Sequence, residues 1–259
     1  MRLLPFLLLF CSIASGQNTF PPIGFWREHL PYNGTIDVTA SATKIYAATP
    51  YRLFSVDQEG GELSRLSKVS GLSETGISAI RFDEATGKLF IAYTNSNIDI
   101  IDAERINNIP DLKRETIAGD KAIYGIYPDG GRAYLSTGFG VLVLNTVEYE
   151  TADTWLIGNG GQNVKTNAFP RDATYFYAAT EQGLKRAPVN TPNPTNFAAW
   201  TNLSGNSGLS QAPSKGVYVA GGKLYAWQRD SVSVQNGADW SLQYPVLPLQ
   251  IIKSIVIAV

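Results

Sequence analysis

Lys44-Ile45-Tyr46-Ala47-Ala48-Thr49 (KIYAAT) recurs along the chain as Lys88–Tyr93 (KLFIAY), Arg132–Thr137 (RAYLST), Tyr175–Thr180 (YFYAAT) and Lys223–Gln228 (KLYAWQ). The aromatic third residue of each word, Tyr46, Phe90, Tyr134, Tyr177 and Tyr225, follows its predecessor by 44, 44, 43 and 48 residues. A repeat in the forties built from short apolar strands is the pattern of radial β-sheet architecture. One copy cannot hide its own apolar faces, so neighbouring copies must stack and share a core. The expectation is an all-β chain, a β-propeller of four-stranded blades whose aromatic stripe fills the gaps between them.

The first repeat shows how four strands fit one period: residues 38–42, 45–49, 52–56 and, after the Gly60-Gly61 turn, 62–68. In the second, 77–82 and 89–93 flank a hairpin loop ending in Gly87, and 97–101 follows. Residues 102–115, interrupted by Pro110, are the least strand-like and read as an insertion or a short helical turn on a loop. The third repeat places strands at 132–137, 141–144 and 154–157. The fourth has them at 175–180, 183–187 and around Trp200, and the fifth at 217–220, 224–227, 232–235 and around Trp240. No stretch has sustained helical periodicity.

Residues 36–259 therefore read as blades 1 to 5 and, in 251–259, the first strand of a sixth. Trp155, Trp200 and Trp240 each fall on the outermost strand of a repeat. Trp26, ahead of Leu30-Pro31-Tyr32-Asn33-Gly34, has the place that Trp200 has ahead of Leu203-Ser204-Gly205. The lead segment, 17–35, thus reads as an orphan outer strand of the closing blade. Five complete blades, one started blade and that strand fit a six- or seven-bladed ring with its closing part missing. The lead strand would then pair nowhere well, and open edges would invite aggregation.

The chain has 259 residues, of which 44% are hydrophobic and 17% charged, enough apolar material for a sizeable core. With 21 basic against 22 acidic residues the formal charge is −1, so nothing in the balance favours a phosphate backbone, and nucleic acid is not an expected partner. Residues 1–16 have the form of a signal peptide: Arg2, the apolar run 3–10, then Ala14-Ser15-Gly16 before Gln17. Cys11, the single cysteine, reads as a signal-peptide residue, with the lipidated first residue of a lipoprotein as the other reading; cleavage after Gly16 would remove it, leaving no thiol for a disulfide, a metal or a nucleophile. No later stretch has the length of a transmembrane helix.

Ser70-Gly71-Leu72-Ser73, Ile77-Ser78-Ala79-Ile80 and Gly87-Lys88-Leu89-Phe90-Ile91-Ala92 resemble the two-component-regulator propeller repeat. Ala179-Thr180-Glu181-Gln182-Gly183-Leu184 resembles its Thr-x-x-Gly-Leu ending, although Phe90 and Tyr134 stand where that family usually has Trp. A second resemblance is carried by Trp26-Arg27-Glu28-His29-Leu30-Pro31-Tyr32, Ala47-Ala48-Thr49, Ile91-Ala92-Tyr93, Asn97-Ile98-Asp99-Ile100-Ile101, Gly138-Phe139-Gly140-Val141 and Asp153-Thr154-Trp155-Leu156-Ile157-Gly158. These words are similar to the N-terminal β-propeller of PorZ-type proteins of the type IX secretion system, from Phe25 to about Gly205. The resemblance implies a protein at the outer-membrane surface, with partners in an attachment complex that includes a sortase, and a part in delivering anionic lipopolysaccharide. The repeat family by itself implies an alternative, the extracellular sensor propeller of a hybrid two-component regulator.

Materials for catalysis are sparse. His29 is the only histidine, and beside Trp26 and Leu30 it reads as structural. Asp57, Glu59, Glu62, Asp83, Glu84 and Asp129 fall at turns, where solvated carboxylates are ordinary. Asp99 interrupts an apolar strand and reads as a hydrogen-bond acceptor toward a neighbouring blade, with a ligand contact as the other reading. The glycine pairs lack the strand–turn–helix context of a phosphate loop. Asn33-Gly34-Thr35 and Asn202-Leu203-Ser204 fit a glycosylation acceptor pattern, and Asp230-Ser231-Val232 loosely fits another. The expected class is a non-enzymatic binding or scaffold module, exported and associated with the cell surface, the outer membrane or the periplasm. No catalytic residue, metal site or cofactor is expected, and the ligand-binding residues are not legible.

Overall fold

Each of the five repeated words forms the second strand of a four-stranded antiparallel sheet. A computed structural model describes residues 34–103 and 105–245. The first blade is β1 (Asp37–Ala40), β2 (Lys44–Thr49), β3 (Arg52–Asp57) and β4 (Leu63–Leu66); the second is β5 (Ile77–Asp83), β6 (Lys88–Tyr93), β7 (Ile98–Ile101) and β8 (Ile106–Ile109). A helical turn, α1 (Asp111–Arg114), leads to the third, β9 (Ile123–Asp129), β10 (Arg132–Thr137), β11 (Val141–Asn145) and β12 (Glu150–Trp155). The fourth is β13 (Thr166–Ala168), β14 (Tyr175–Thr180), β15 (Gly183–Pro188) and β16 (Thr201–Asn202); the fifth is β17 (Ser214–Ala220), β18 (Lys223–Gln228), β19 (Ser231–Asn236) and β20 (Asp239–Pro245). The strands of every blade pair in chain order. Each blade packs on the next, and the ring is not closed among the described residues.

Alternation along the second strand explains the packing. Its third and fifth residues face the following blade, and its second and fourth face the preceding one. Phe90 and Ala92 accordingly meet Ala133 and Leu135, and Tyr177 and Ala179 meet Leu224 and Ala226. Ala48 meets Leu89 and Ile91, with Tyr46 half-buried against them. At the third seam Tyr134 joins Trp155, Phe169, Phe176 and Trp200, with ring centroids of contacting pairs 5.4 to 6.4 Å apart. The same rule leaves two faces without a described neighbour. Ile45, facing away from the second blade, is 43% exposed, and Tyr225 on the far face of the fifth blade is only half-buried.

The sixth residue of every word is polar and fully or nearly fully buried: Thr49, Tyr93, Thr137, Thr180 and Gln228, the tyrosine by its hydroxyl. Each bonds locally through a hydroxyl or amide N–H, as burial favours, although Gln228 Oε1 is left without a partner among the described residues. Thr137 Oγ1 donates to the Gly140 carbonyl at 2.9 Å and Thr180 Oγ1 to that of Gly183 at 2.7 Å. Tyr93 donates to Asp99, and Gln228 Nε2 reaches Ser204 Oγ, the Ala212 carbonyl and Ser214 Oγ.

Three local expectations are corrected. Residues 102–115 are not a bare insertion: Ile106–Ile109 completes the second blade, and only the following turn is helical. The Asn107-Asn108 pair lowers its strand propensity, but both side chains bond within the blade, to Asp102 and to Asn97, Ile98 and Asp99. The fourth blade has an inner strand, Thr166–Ala168, which is short and ahead of a proline. Trp200 caps the 3-10 turn Phe197–Ala199 rather than lying in a strand, and its outer strand is only Thr201–Asn202. The signal peptide, Cys11, the lead segment with Trp26 and His29, and the sixth-blade strand at 251–259 lie outside the described residues.

Candidate functional site

Asp99 is fully buried, and all its bonds are internal. Oδ2 accepts from the Tyr93 hydroxyl at 2.6 Å and the Ser73 backbone N–H at 2.9 Å, and Oδ1 accepts from Asn108 Nδ2 at 2.9 Å. It ties three strands of its own blade to the loop arriving from the first, so its partners are chiefly within the blade rather than across a seam. Burial, reinforced by the bond to Asp99, pushes the Tyr93 hydroxyl far up.

The turn carboxylates divide. Glu59 and Glu62 are exposed. Asp57 accepts from the N–H groups of Gly60 and Glu59, which hold its carboxyl below the usual range. Asp83 is buried rather than solvated, bonded to Thr86 Oγ1 and the Ala85 N–H, because its side chain folds back to cap its own hairpin. Glu84 accepts from the Ala42 N–H of the first blade, and Asp129 takes a bidentate grip from Arg171 of the fourth. Two of them, Glu84 and Asp129, therefore tie neighbouring blades together. Among the described residues no group of three or more His, Cys, Asp or Glu side chains is placed to hold a metal ion.

Lys185 was not singled out in the sequence. It is buried, and its ammonium donates to the Ile157 carbonyl, Asn159 Oδ1 and Gln182 Oε1 at 2.8 to 2.9 Å. Burial without a carboxylate partner pulls its pKa down. All three acceptors are neutral and all three ammonium hydrogens are used, so this is a latch between the third and fourth blades. Asn202, in the acceptor pattern Asn202-Leu203-Ser204, is half-buried, and its Oδ1 accepts the Ser204 N–H.

Two clefts open along the seams. The first, about 380 Å³, lies between the first and second blades and is lined by Lys44, Tyr46, Arg65, Phe82 and Asp102 among others. Tyr46 and Phe82 stack there with centroids 5.5 Å apart and planes 13° from parallel. Ser55 and Ser64 add hydroxyls. A half-buried aromatic pair flanked by charges and hydroxyls offers stacking and hydrogen bonding to a ligand. The second cleft, about 510 Å³, lies between the second and third blades and is chiefly apolar, with Leu112, Ile117, Phe139, Leu142 and Leu156 in its lining. The periodic aromatics are thus mostly core, and Tyr46 is the one of the five that lines either of these two clefts. Among the described residues no helix is long and apolar enough to cross a membrane.

The family model described as the TSS9, PorZ, N-terminal beta-propeller domain matches residues 45–201. A solved structure of PorZ, an essential bacterial surface component of the type IX secretion system of Porphyromonas gingivalis, shares 29% identity with a TM-score of 0.71. The match covers 82% of this chain and 28% of that one. The extracellular domains of a hybrid two-component system and of a one-component system of B. thetaiotaomicron have TM-scores of 0.62 and 0.63, each at 10% identity. Those matches cover 78% and 81% of this chain and 27% and 28% of the others, and at that identity they show the fold alone. No curated protein matches the sequence.

Proposed function

Because the chain belongs to the family of PorZ N-terminal β-propeller domains, we propose that it is a non-enzymatic binding module of type IX secretion, exported to the cell surface. The observation that carries this reading is the family match over 45–201 together with 29% identity to a surface component of that system. Residues 1–16 then act as the signal peptide, and the mature chain begins at Gln17. The residues support a platform rather than a reaction centre: the buried polar groups Asp99 and Lys185 are consumed by internal bonds. The partners on this reading are proteins of an attachment complex that includes a sortase, with anionic lipopolysaccharide as the molecule whose delivery it assists. The sensor reading rests on likeness at 10% identity and is the weaker one.

Deleting the gene tests this. The expected result is that proteins exported by type IX secretion accumulate unattached, that the tagged protein co-purifies with the sortase from the outer membrane, and that its purified form begins at Gln17. Normal attachment in the deletion strain, with altered transcription in response to an external glycan, would overturn it in favour of a sensor.

A further inference from the structure

We propose that Asn159, on the turn between the third and fourth blades, is a site of self-modification: it loses its side-chain amide to become aspartate or isoaspartate, and the new carboxylate serves as the counter-ion of buried Lys185. The inference rests on this seam and not on the secretion reading. Asn159 and Gly160 are exposed and belong to the 3-10 turn Asn159–Gly161.

The reacting groups are covalent neighbours, so the attack is intramolecular. The Gly160 backbone nitrogen forms a bond to Asn159 Cγ while the Cγ–Nδ2 bond breaks, and Nδ2 leaves as ammonia with the proton that the backbone nitrogen gives up. Water then opens the cyclic imide at either carbonyl. The turn leaves that path clear. Gly160 has a φ of +71°, and nothing lies within 4 Å of where a Cβ would stand. Gly161 N–H donates to the Gly158 carbonyl and Gly158 N–H to the Gln162 carbonyl, but the Gly160 N–H is bonded to nothing among the described residues. Asn159 accepts through its amide oxygen, and the departing Nδ2 is likewise unbonded among them.

Lys185 supplies the drive. Its ammonium can only donate, so the Asn159 atom it meets at 2.9 Å is the amide oxygen, where negative charge develops as the ring forms. Gln182 Oε1 accepts from both the Asn159 N–H and Lys185 Nζ, which keeps that oxygen on the ammonium. The product suits the site as well. Lys185 is buried with neutral acceptors, whereas Asn159 is exposed, so a carboxylate at 159 keeps much of its water and brings the charge that the ammonium lacks. Asn236-Gly237 is the contrast within the same chain. Asn236 is exposed too, but its Nδ2 donates to Ser241 Oγ at 2.8 Å, and no cation bonds its oxygen among the described residues.

The test is peptide mass spectrometry of the whole protein after warm incubation at neutral pH. The peptide holding Asn159 should gain the mass of an amide-to-acid exchange several-fold faster than the one holding Asn236. Lys185→Met should slow the change at Asn159 and leave Asn236 as it was; a latch that merely stiffens the turn would give the opposite, faster change once it is removed. Asn159→Asp, which makes the product directly, should melt higher than the parent protein. The comparison of the two asparagines in the parent chain keeps the test decisive if Lys185→Met does not fold. Conversion at Asn159 no faster than at Asn236, faster conversion in Lys185→Met, or a lower melting temperature for Asn159→Asp would overturn the proposal.

Discussion

Arg171 of the fourth blade grips Asp129 of the third in a bidentate pair, Nε to Oδ2 at 2.6 Å and Nη2 to Oδ1 at 2.8 Å. Both side chains keep more than a quarter of their exposure, so solvent screens the pair and its worth is modest. A double-mutant cycle with Asp129→Ala and Arg171→Ala should give a coupling of about 1 kcal/mol in urea unfolding. Arg171→Lys should recover less than half of it, because an ammonium cannot reproduce the planar fork. A coupling near zero would show that this pair adds nothing to a seam held by its aromatic cluster and the Lys185 latch.

Tyr134 and Tyr225 occupy the same place in their words but not the same surroundings. Tyr134 contacts Trp155, Phe169 and Phe176, whereas Tyr225 looks out from the fifth blade and stays half-buried. Tyr134→Ala should cost about 3–5 kcal/mol, as large aromatic truncations in cores do. Tyr225→Ala should cost less than half as much. Chemical denaturation of the two variants decides it, and equal losses would mean that the far face of the fifth blade is covered.

Gly140 is placed by a close approach. Its φ is +146°, and a Cβ there would stand 2.2 Å from the Trp155 carbonyl oxygen. Backbone cannot yield as a flexible side-chain tip does, so Gly140→Ala should destabilise by more than about 2 kcal/mol. Gly87 has a φ of +69° with open space around it, and Gly87→Ala should cost only about 1 kcal/mol. Thermal melts of both variants compare the two costs directly.

How far the sequence was legible follows from which signals repeat. The second strands announce themselves because each word carries an aromatic at its third position, followed on the same face in four of the five by a small residue (Ala48, Ala92, Ser136, Ala179), with apolar residues on the other face. Their polar sixth residues were in plain view as well, but a Thr in a strand looks unremarkable until its hydroxyl is seen on the carbonyl three residues on. Outer strands were harder. Ile106–Ile109 reads as loop because the Asn107-Asn108 pair lowers its strand propensity, and Thr201–Asn202 is too short to leave a period. The clefts were not legible at all. Tyr46 meets Phe82, and Leu112 meets Leu142, only after two blades are stacked, and no local pattern records that meeting.

The tyrosine hydroxyls set the response to alkali. Burial and then the Asp99 bond raise Tyr93, burial and then the Asp172 bond raise Tyr177, and burial with the Asp120 bond pushes Tyr124 up to about 12. A group whose folded pKa is raised stabilises the fold fully below its unfolded value and loses that contribution as pH climbs. Stability should therefore fall above about pH 10, where free tyrosine ionises. Tyr93 and Tyr177 should yield tyrosinate absorbance only as the far-ultraviolet signal of the sheets is lost. The acid limb runs the other way. The Lys113 ammonium holds the Glu74 carboxyl below its usual range, and the Tyr124 hydroxyl does the same for Asp120, so their contribution is complete above about pH 5 and fades as protons are forced on. Tyr93→Phe separates burial from charge: it should lower stability at neutral pH by about 1 kcal/mol through the lost bond to Asp99, yet flatten the alkaline limb. If every tyrosine instead titrates reversibly near pH 10 with the sheets intact, the hydroxyl of Tyr93 is not locked onto Asp99 in solution.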